Sequence, residues 1–207
     1  MTGLAALAPG RRHQVIAAGF AGEVTATPDW DAPAPVDGWT ARDVVAHLVQ
    51  WFPAFLSDGG VRFEPVTIGS DPVAAWAAHS DRVQGLFDRG DAEFSHPMVG
   101  TMPLADAVDR FYTSDVFMHT WDLAQASGRR PPLDPEYAEQ LLGGLAGMED
   151  ILRSSGQYGP AFPAPADADS VVRLAAFIGR DPAFGAERQV EPTSEAEGRG
   201  VGRDQVT

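Results

Sequence analysis

Apolar residues along this chain recur mostly at three- and four-residue intervals, the period at which an α-helix turns one face to a core. RRHQVIAAGFAGEVTA predicts a first helix over residues 11–26. A proline-rich connection, TPDWDAPAPVDGW, precedes a strong helix start. There Thr40 can cap, and Asp43 three residues later completes a variant of the capping box. This second helix is predicted to reach about Leu56. Asp71-Pro72 pairs a cap with a proline at the first helical position, opening a third helix over 72–89. GDAEFSHPMVGTM reads as a loop or short hairpin, and 61–68 carries a second, weaker strand signal. A fourth helix runs from about Pro103 to Ala126, closed by Gly128, and a fifth from Asp134-Pro135 to about Arg153. QYGPAFPAPADAD is extended, after which Asp169 caps a short last helix, SVVRLAAFIG.

The succession predicts an all-α four-helix bundle with a short extra C-terminal helix, spanning residues 10–184. Beyond it, 185–207 holds almost nothing apolar and is expected to be a disordered polar tail. A chain of 207 residues, 44% of them hydrophobic, suits one domain and a tail.

Composition narrows the partners. A net charge of −14 repels nucleic acid and anionic membrane over most of the surface, so neither is expected. No run approaches the ~20 apolar residues of a membrane span, because VVAHLVQWFPAFL (44–56) is interrupted by His47, Gln50 and Pro53. The start, MTGLAALAPGRRH, lacks the basic n-region of a secretory signal, and a cytoplasmic location is expected. Every basic residue is arginine, which excludes a Walker-type phosphate loop and Schiff-base chemistry. Cysteine is absent, so thiol chemistry would take its thiol from outside. No Gly-x-Ser-x-Gly elbow or glycine-rich dinucleotide loop is present, and a di-iron bundle, which needs several carboxylates and a Glu-x-x-His on each of two helices, is not expected.

The candidate chemistry lies in DVFMHTWDLA, residues 115–124. At about 100° per residue, with Asp115 at zero, His119 falls at about 40° and Asp122 at about −20°. Val108, Phe111 and Tyr112 share that stripe, at about 20°, −40° and 60°. Burying an unpaired carboxylate costs roughly several kcal/mol, and a cation is the economical compensation. On the second helix, His47 edges the apolar side beside Val44, Trp51 and Phe55. If the two helices face each other, His47, Asp115 and His119 converge. Two imidazoles and a carboxylate suit Zn²⁺, Ni²⁺ or Fe²⁺ and leave coordination positions open. From the residues alone other readings stay open. His47 would equally serve as a hydrogen-bonded core histidine. Asp115 and His119 would form an ordinary helix ion pair worth a few tenths of a kcal/mol. Asp122 would cap a neighbouring helix or hold a ring N–H. His13, His79 and His96 are expected on the surface or in loops, with His96 the one placed to line a pocket.

WDAPAPVDGWTARDVVAHLV (30–49) resembles the opening motif of the mycothiol-dependent maleylpyruvate isomerase metal-binding domains, which are DinB-like four-helix bundles. DVFMHTWDLAQASG (115–128) resembles their second motif, an acid and a histidine four apart before Trp-Asp-Leu-Ala. QYGPAFPAPADADSVVRLAAFIGRDP (157–182) is similar to the closing segment of an uncharacterised actinobacterial branch. The resemblance covers roughly 10–184. It implies a divalent metal, usually zinc, held by His47, Asp115 and His119. Asp122 would then orient a ligand or bound water, and Trp121 would pack. Two departures stand out. The isomerase has Glu where this chain has Asp115, and its second domain, with a substrate-binding arginine, has no counterpart after Pro182. Maleylpyruvate isomerisation is therefore not carried over. The expected activity is a thiol-dependent transferase in which mycothiol or a similar thiol attacks an electrophilic small molecule. The alternatives are a hydrolase using metal-activated water and a non-catalytic metal-binding bundle. A homodimer stays open.

Overall fold

The structure, a computed structural model, describes residues 3–154 and 158–185. The expected tail beyond Gly185 lies outside the described residues.

The bundle is built where local signals and periodicity agree. Helix α1 (Pro9–Ala26) starts on a proline. Helix α2 (Ala41–Asp58) starts on a full capping box. Thr40 Oγ1 accepts the Asp43 N–H at 3.4 Å, and Asp43 Oδ2 accepts the Thr40 N–H at 2.8 Å. Asp71 caps α3 (Pro72–Gln84) by accepting the Ala74 N–H. Helix α4 (Leu104–Ala107), a π-helical turn at Val108–Thr113 and α5 (Ser114–Ala126) form one unbroken rod. Helices α1 and α2 each pack against both α3 and α5, which makes these the four corners of the bundle. Phe20, Leu48, Phe52, Trp76, Leu104 and Tyr112 fill its centre, each all but inaccessible to solvent.

Helix α5 is buried on almost every side, from Val116 to Ala126. Its second face is covered by α6 (Pro135–Leu145) and α8 (Ser170–Phe177), which pack on one another. The Phe117 ring meets Tyr137 edge-on at 5.0 Å, and Trp121 lies with Leu133, Leu174 and Ile178, in the packing role expected of it. The additional C-terminal helix thus closes over the segment that carries the polar stripe.

Residues 90–102 resolve into a hairpin, β1 (Glu93–His96) and β2 (Gly100–Pro103), paired antiparallel with Phe94 opposite Met102. Phe94 lies over Gly59, where an added Cβ would stand 1.9 Å from the ring, so only glycine admits the hairpin there. The chain's Glu-x-x-His spacing, Glu93 to His96, falls on β1, whose alternating side chains put those two on opposite faces.

Four expectations change. The 61–68 segment forms no strand. The third helix stops at Gly85, and Phe87–Arg89 is a separate 3₁₀ turn. The fifth breaks at Ala146–Met148 into α6 and α7 (Glu149–Ser154), because Gly143 and Gly144 weaken it and Gly147 adopts φ 80°. The π turn adds a residue to its loop, so angles counted at a uniform 100° do not carry back across it, and Phe111 is only half-buried.

The larger correction concerns His13 and His79, which are fully buried rather than superficial. His13 heads the stripe Ile16, Ala17, Phe20, Val24, and His79 continues Pro72, Ala75, Trp76 toward Val83. Both occupy core positions by spacing, which their polar type obscured. His13 Nδ1 meets Thr113 Oγ1 at 3.0 Å, while His79 packs among Phe63, Trp76 and Tyr112 with neither ring nitrogen hydrogen-bonded. Burial pushes both imidazoles down to about 4. His96 is half-buried on the hairpin, its ring 5.1 Å from Phe55.

Candidate metal centre

The inner faces of α2 and α5 bring His47, Asp115 and His119 together. His47 Nε2 stands 3.3 Å from Asp115 Oδ2, and His119 Nε2 stands 3.4 Å from Asp115 Oδ1. One ligand atom from each lies within 4.8 Å of the others. Trp51, one turn beyond His47, donates its indole N–H to Asp115 Oδ2 at 3.0 Å and so pins the carboxylate's orientation. Trp39, delivered by the proline-rich connection, covers the group. Its ring centroid is 5.0 Å from that of His47 and, nearly parallel, 5.8 Å from that of His119. The His47 side chain keeps 31% of its exposure and Asp115 19%, against 5% for His119, so the group opens to solvent on the α2 side.

Behind His119 lies a fully buried charge pair. Asp122 Oδ2 is 2.8 Å from His119 Nδ1. The same carboxylate accepts Arg180 Nε at 3.1 and 3.2 Å and Arg180 Nη2 at 2.9 Å. Asp122 therefore meets a ring nitrogen of His119 rather than the end of a neighbouring helix.

The electrostatics follow the contacts. Burial alone would raise the Asp115 carboxyl, but the His119 charge, His47 and the Trp51 N–H outweigh it and hold the group below the ordinary carboxylate range. Burial opposes ionisation of Asp122 too, yet Arg180 and His119 hold it down at about 2. Tyr158 lies close enough to feel Asp115, and burial together with that charge pushes its phenol up to about 12.

These contacts determine which lone pairs face inward. A carboxylate gripped by a guanidinium only accepts hydrogen bonds, so His119 Nδ1 must carry the proton that it donates to Asp122. In the neutral ring Nε2 is then bare, and it faces Asp115 Oδ1 across 3.4 Å with His47 alongside. Two acceptors at that distance repel unless a cation, proton or metal, lies between them. The donor set fits a metal. Ligands ~2.0–2.1 Å from a tetrahedral zinc stand roughly 3.3–3.4 Å apart, and the two imidazoles stand at comparable distances from different oxygens of Asp115, His47 from Oδ2 and His119 from Oδ1.

Residues 12–124 match the family described as the mycothiol maleylpyruvate isomerase N-terminal domain. The match takes in more than half of the chain. The chain belongs to this family. Two Mycobacterium tuberculosis proteins are also similar to it, uncharacterized protein Rv0738 of strain H37Rv and uncharacterized protein MT0763 of strain CDC 1551. Each is 29% identical over 154 residues, 72% of this chain and 83% of the relative. No solved structure matches significantly. The family segment includes His47, Asp115, His119 and Asp122 and stops short of Arg180.

Arg180, Trp51 and Trp39 were not singled out from the sequence. The signal for Arg180 was the buried Asp122 itself, which needs a cation, together with the Ile178-Gly179-Arg180 helix ending. Gly179 closes α8 in a Schellman turn. Its N–H bonds Ala176 O at 3.2 Å, and the Arg180 N–H bonds Ala175 O at 2.9 Å, which turns Arg180 back toward α5. Gly179 has φ 91°, and a Cβ there would lie 2.8 Å from Gly159 Cα. Gly179→Ala is therefore expected to destabilise the fold by about 1–3 kcal/mol, checked by denaturant titration. Unchanged stability would mean that this turn relaxes freely.

A groove of about 350 Å³ between α1 and α3, lined by Ala17, Ala21, Trp76 and Ala77, contains none of the site residues. Among the described residues no helix is long and apolar enough to cross a membrane.

Proposed function

We propose that this protein is a divalent-metal-dependent transferase that uses a small external thiol, of the mycothiol type, against an electrophilic small molecule. The observation that carries the reading is the convergence of His47, Asp115 and His119, one ligand atom of each within 4.8 Å of the others, in a chain of this family. A cation bound there supplies a Lewis-acid centre that lowers the pKa of a thiol sharing its coordination sphere below the free value of roughly 8.5. Zinc suits the donors best, and nickel or iron also fit.

The chain's own residues do the rest. His47, Asp115 and His119 hold the cation with three ligands, which leaves a position for a thiol. Trp51 keeps Asp115 oriented, and Asp122 keeps His119 in the ligating tautomer. Trp39 excludes water from the inner side, while the exposed edge of His47 marks the approach for the thiol and its acceptor. The absence of cysteine removes any competing protein thiolate.

The test is turnover of an aryl chloride by zinc-loaded, untagged protein with and without mycothiol. Thiol-dependent conversion that stops on chelation and returns with zinc is expected. Ester or amide cleavage that needs no thiol would instead favour metal-activated water. Absence of both, with a melting temperature that falls on chelation, would make the site structural.

A further inference from the structure

We infer that Arg180 is a positioning residue of the metal centre: through Asp122 it holds His119 in the tautomer that leaves Nε2 free for a cation. The inference rests on the metal reading above and extends that site beyond the family segment, which ends at residue 124. Arg180 reaches α5 from the turn after α8, 58 positions along the chain from Asp122. Its Nε and Nη2 address both carboxylate oxygens, a two-pronged hold that fixes the plane of the group as well as compensating its charge. Nη1 donates to Ile178 O at 2.9 Å, so the guanidinium is itself held from behind. The oxygen that receives Nη2 is the same Oδ2 that receives His119 Nδ1–H. Asp122 side-chain exposure is nil and that of Arg180 8%, so water does not substitute for either partner.

With Arg180 in place Asp122 presents a fixed, acceptor-only oxygen to Nδ1. Without it that oxygen loses its orientation, Nδ1 is no longer the preferred site of the ring proton, and Nε2–H becomes the competing tautomer. An Nε2–H imidazole cannot ligate at that atom. Arg180 thus selects for metal from outside the ligand set, and the C-terminal helix becomes part of the centre.

The experiment measures zinc affinity by chelator competition, together with the ¹⁵N tautomer signature of His119, in the parent chain and in Arg180→Gln. Zinc affinity is expected to fall about 10–100-fold in the variant, the range typical of losing a partner behind a ligating histidine. The metal-free His119 signals should move toward the Nε2–H form while helical content is kept. Affinity within threefold of the parent, or an unchanged tautomer, overturns the inference. Should Arg180→Gln fail to fold because Asp122 is left buried and unpaired, Asp122→Leu with Arg180→Met removes the pair altogether, a replacement that cores often tolerate. That double variant is expected to bind zinc at least tenfold more weakly, and parent-like binding overturns the inference as well. A parent chain that takes no zinc defeats the metal reading and the inference together. A parent that binds while the variants bind equally defeats the inference alone.

Discussion

The His47→Ala protein is expected to purify without bound metal and to keep its helices. His47 packs little. Its side chain is 31% exposed, at the edge of α2, whereas Val44, Val45, Leu48 and Phe52 on the same helix are wholly buried and carry the packing. Removing the imidazole takes one of three ligands from the site while leaving Asp115 its Trp51 hydrogen bond at 3.0 Å. Loss of a direct ligand should weaken zinc binding by more than the roughly 10–100-fold that an outer partner contributes. Elemental analysis beside far-UV circular dichroism makes the check. Equal metal in parent and variant would place the ion elsewhere.

The second large effect is acid sensitivity of the metal-free fold, from His13 and His79 rather than from the site. Both are buried and neutral, with pKa values lowered from 6.5 to about 4 by desolvation. The unfolded chain takes up a proton at each below about pH 6.5, and the folded chain does so only near pH 4. Stability is therefore full above pH 6.5 and is lost progressively as pH falls from 6.5 to 4. Each shift corresponds to about 3 kcal/mol, a sizeable part of the roughly 5–15 kcal/mol that holds a domain together. Asp109 works in the opposite sense. Burial raises its carboxyl to about 6 against the pull of Arg12, so the folded state binds that proton first and regains part of the loss between about pH 6 and 4. His79→Leu puts an apolar group among Phe63, Trp76 and Tyr112, where neither ring nitrogen had a partner. With Asp109 opposing the one histidine that remains, it should remove most of the pH dependence of unfolding in chelated protein between about pH 6.5 and 4. A slope identical to the parent's would show that His79 is charged or hydrated in the folded state.

These histidines also show where sequence reading failed. The helix starts at Thr40, Asp71, Asp134 and Asp169 were legible because each couples a capping side chain to a following periodic run, and all four accept backbone N–H groups. The stripe shared by Asp115 and His119 left a helix ion pair and a metal site both open, and it was the resemblance of 30–49 and 115–128 to the family's two motifs that joined His47 to them. His13 and His79 stand on stripes just as regular, and their polar type masks the core position that the spacing assigns them. The break after Leu145 lay in the two glycines and the positive φ of Gly147, which periodicity alone overrides. The π turn has no compositional marker and is invisible to a count at fixed pitch. Arg180 required the tertiary step, since its partner lies on another helix.

The centre itself is open to one direct observation. X-ray absorption at the zinc edge of untagged, loaded protein reports the ion's neighbours without reference to activity. The expected spectrum has the multiple-scattering features of two imidazoles and a single carboxylate, with first-neighbour distances of about 2.0–2.1 Å at about four-coordination. A six-oxygen hydrated shell, or one imidazole where two are expected, would show that His47, Asp115 and His119 do not share a cation.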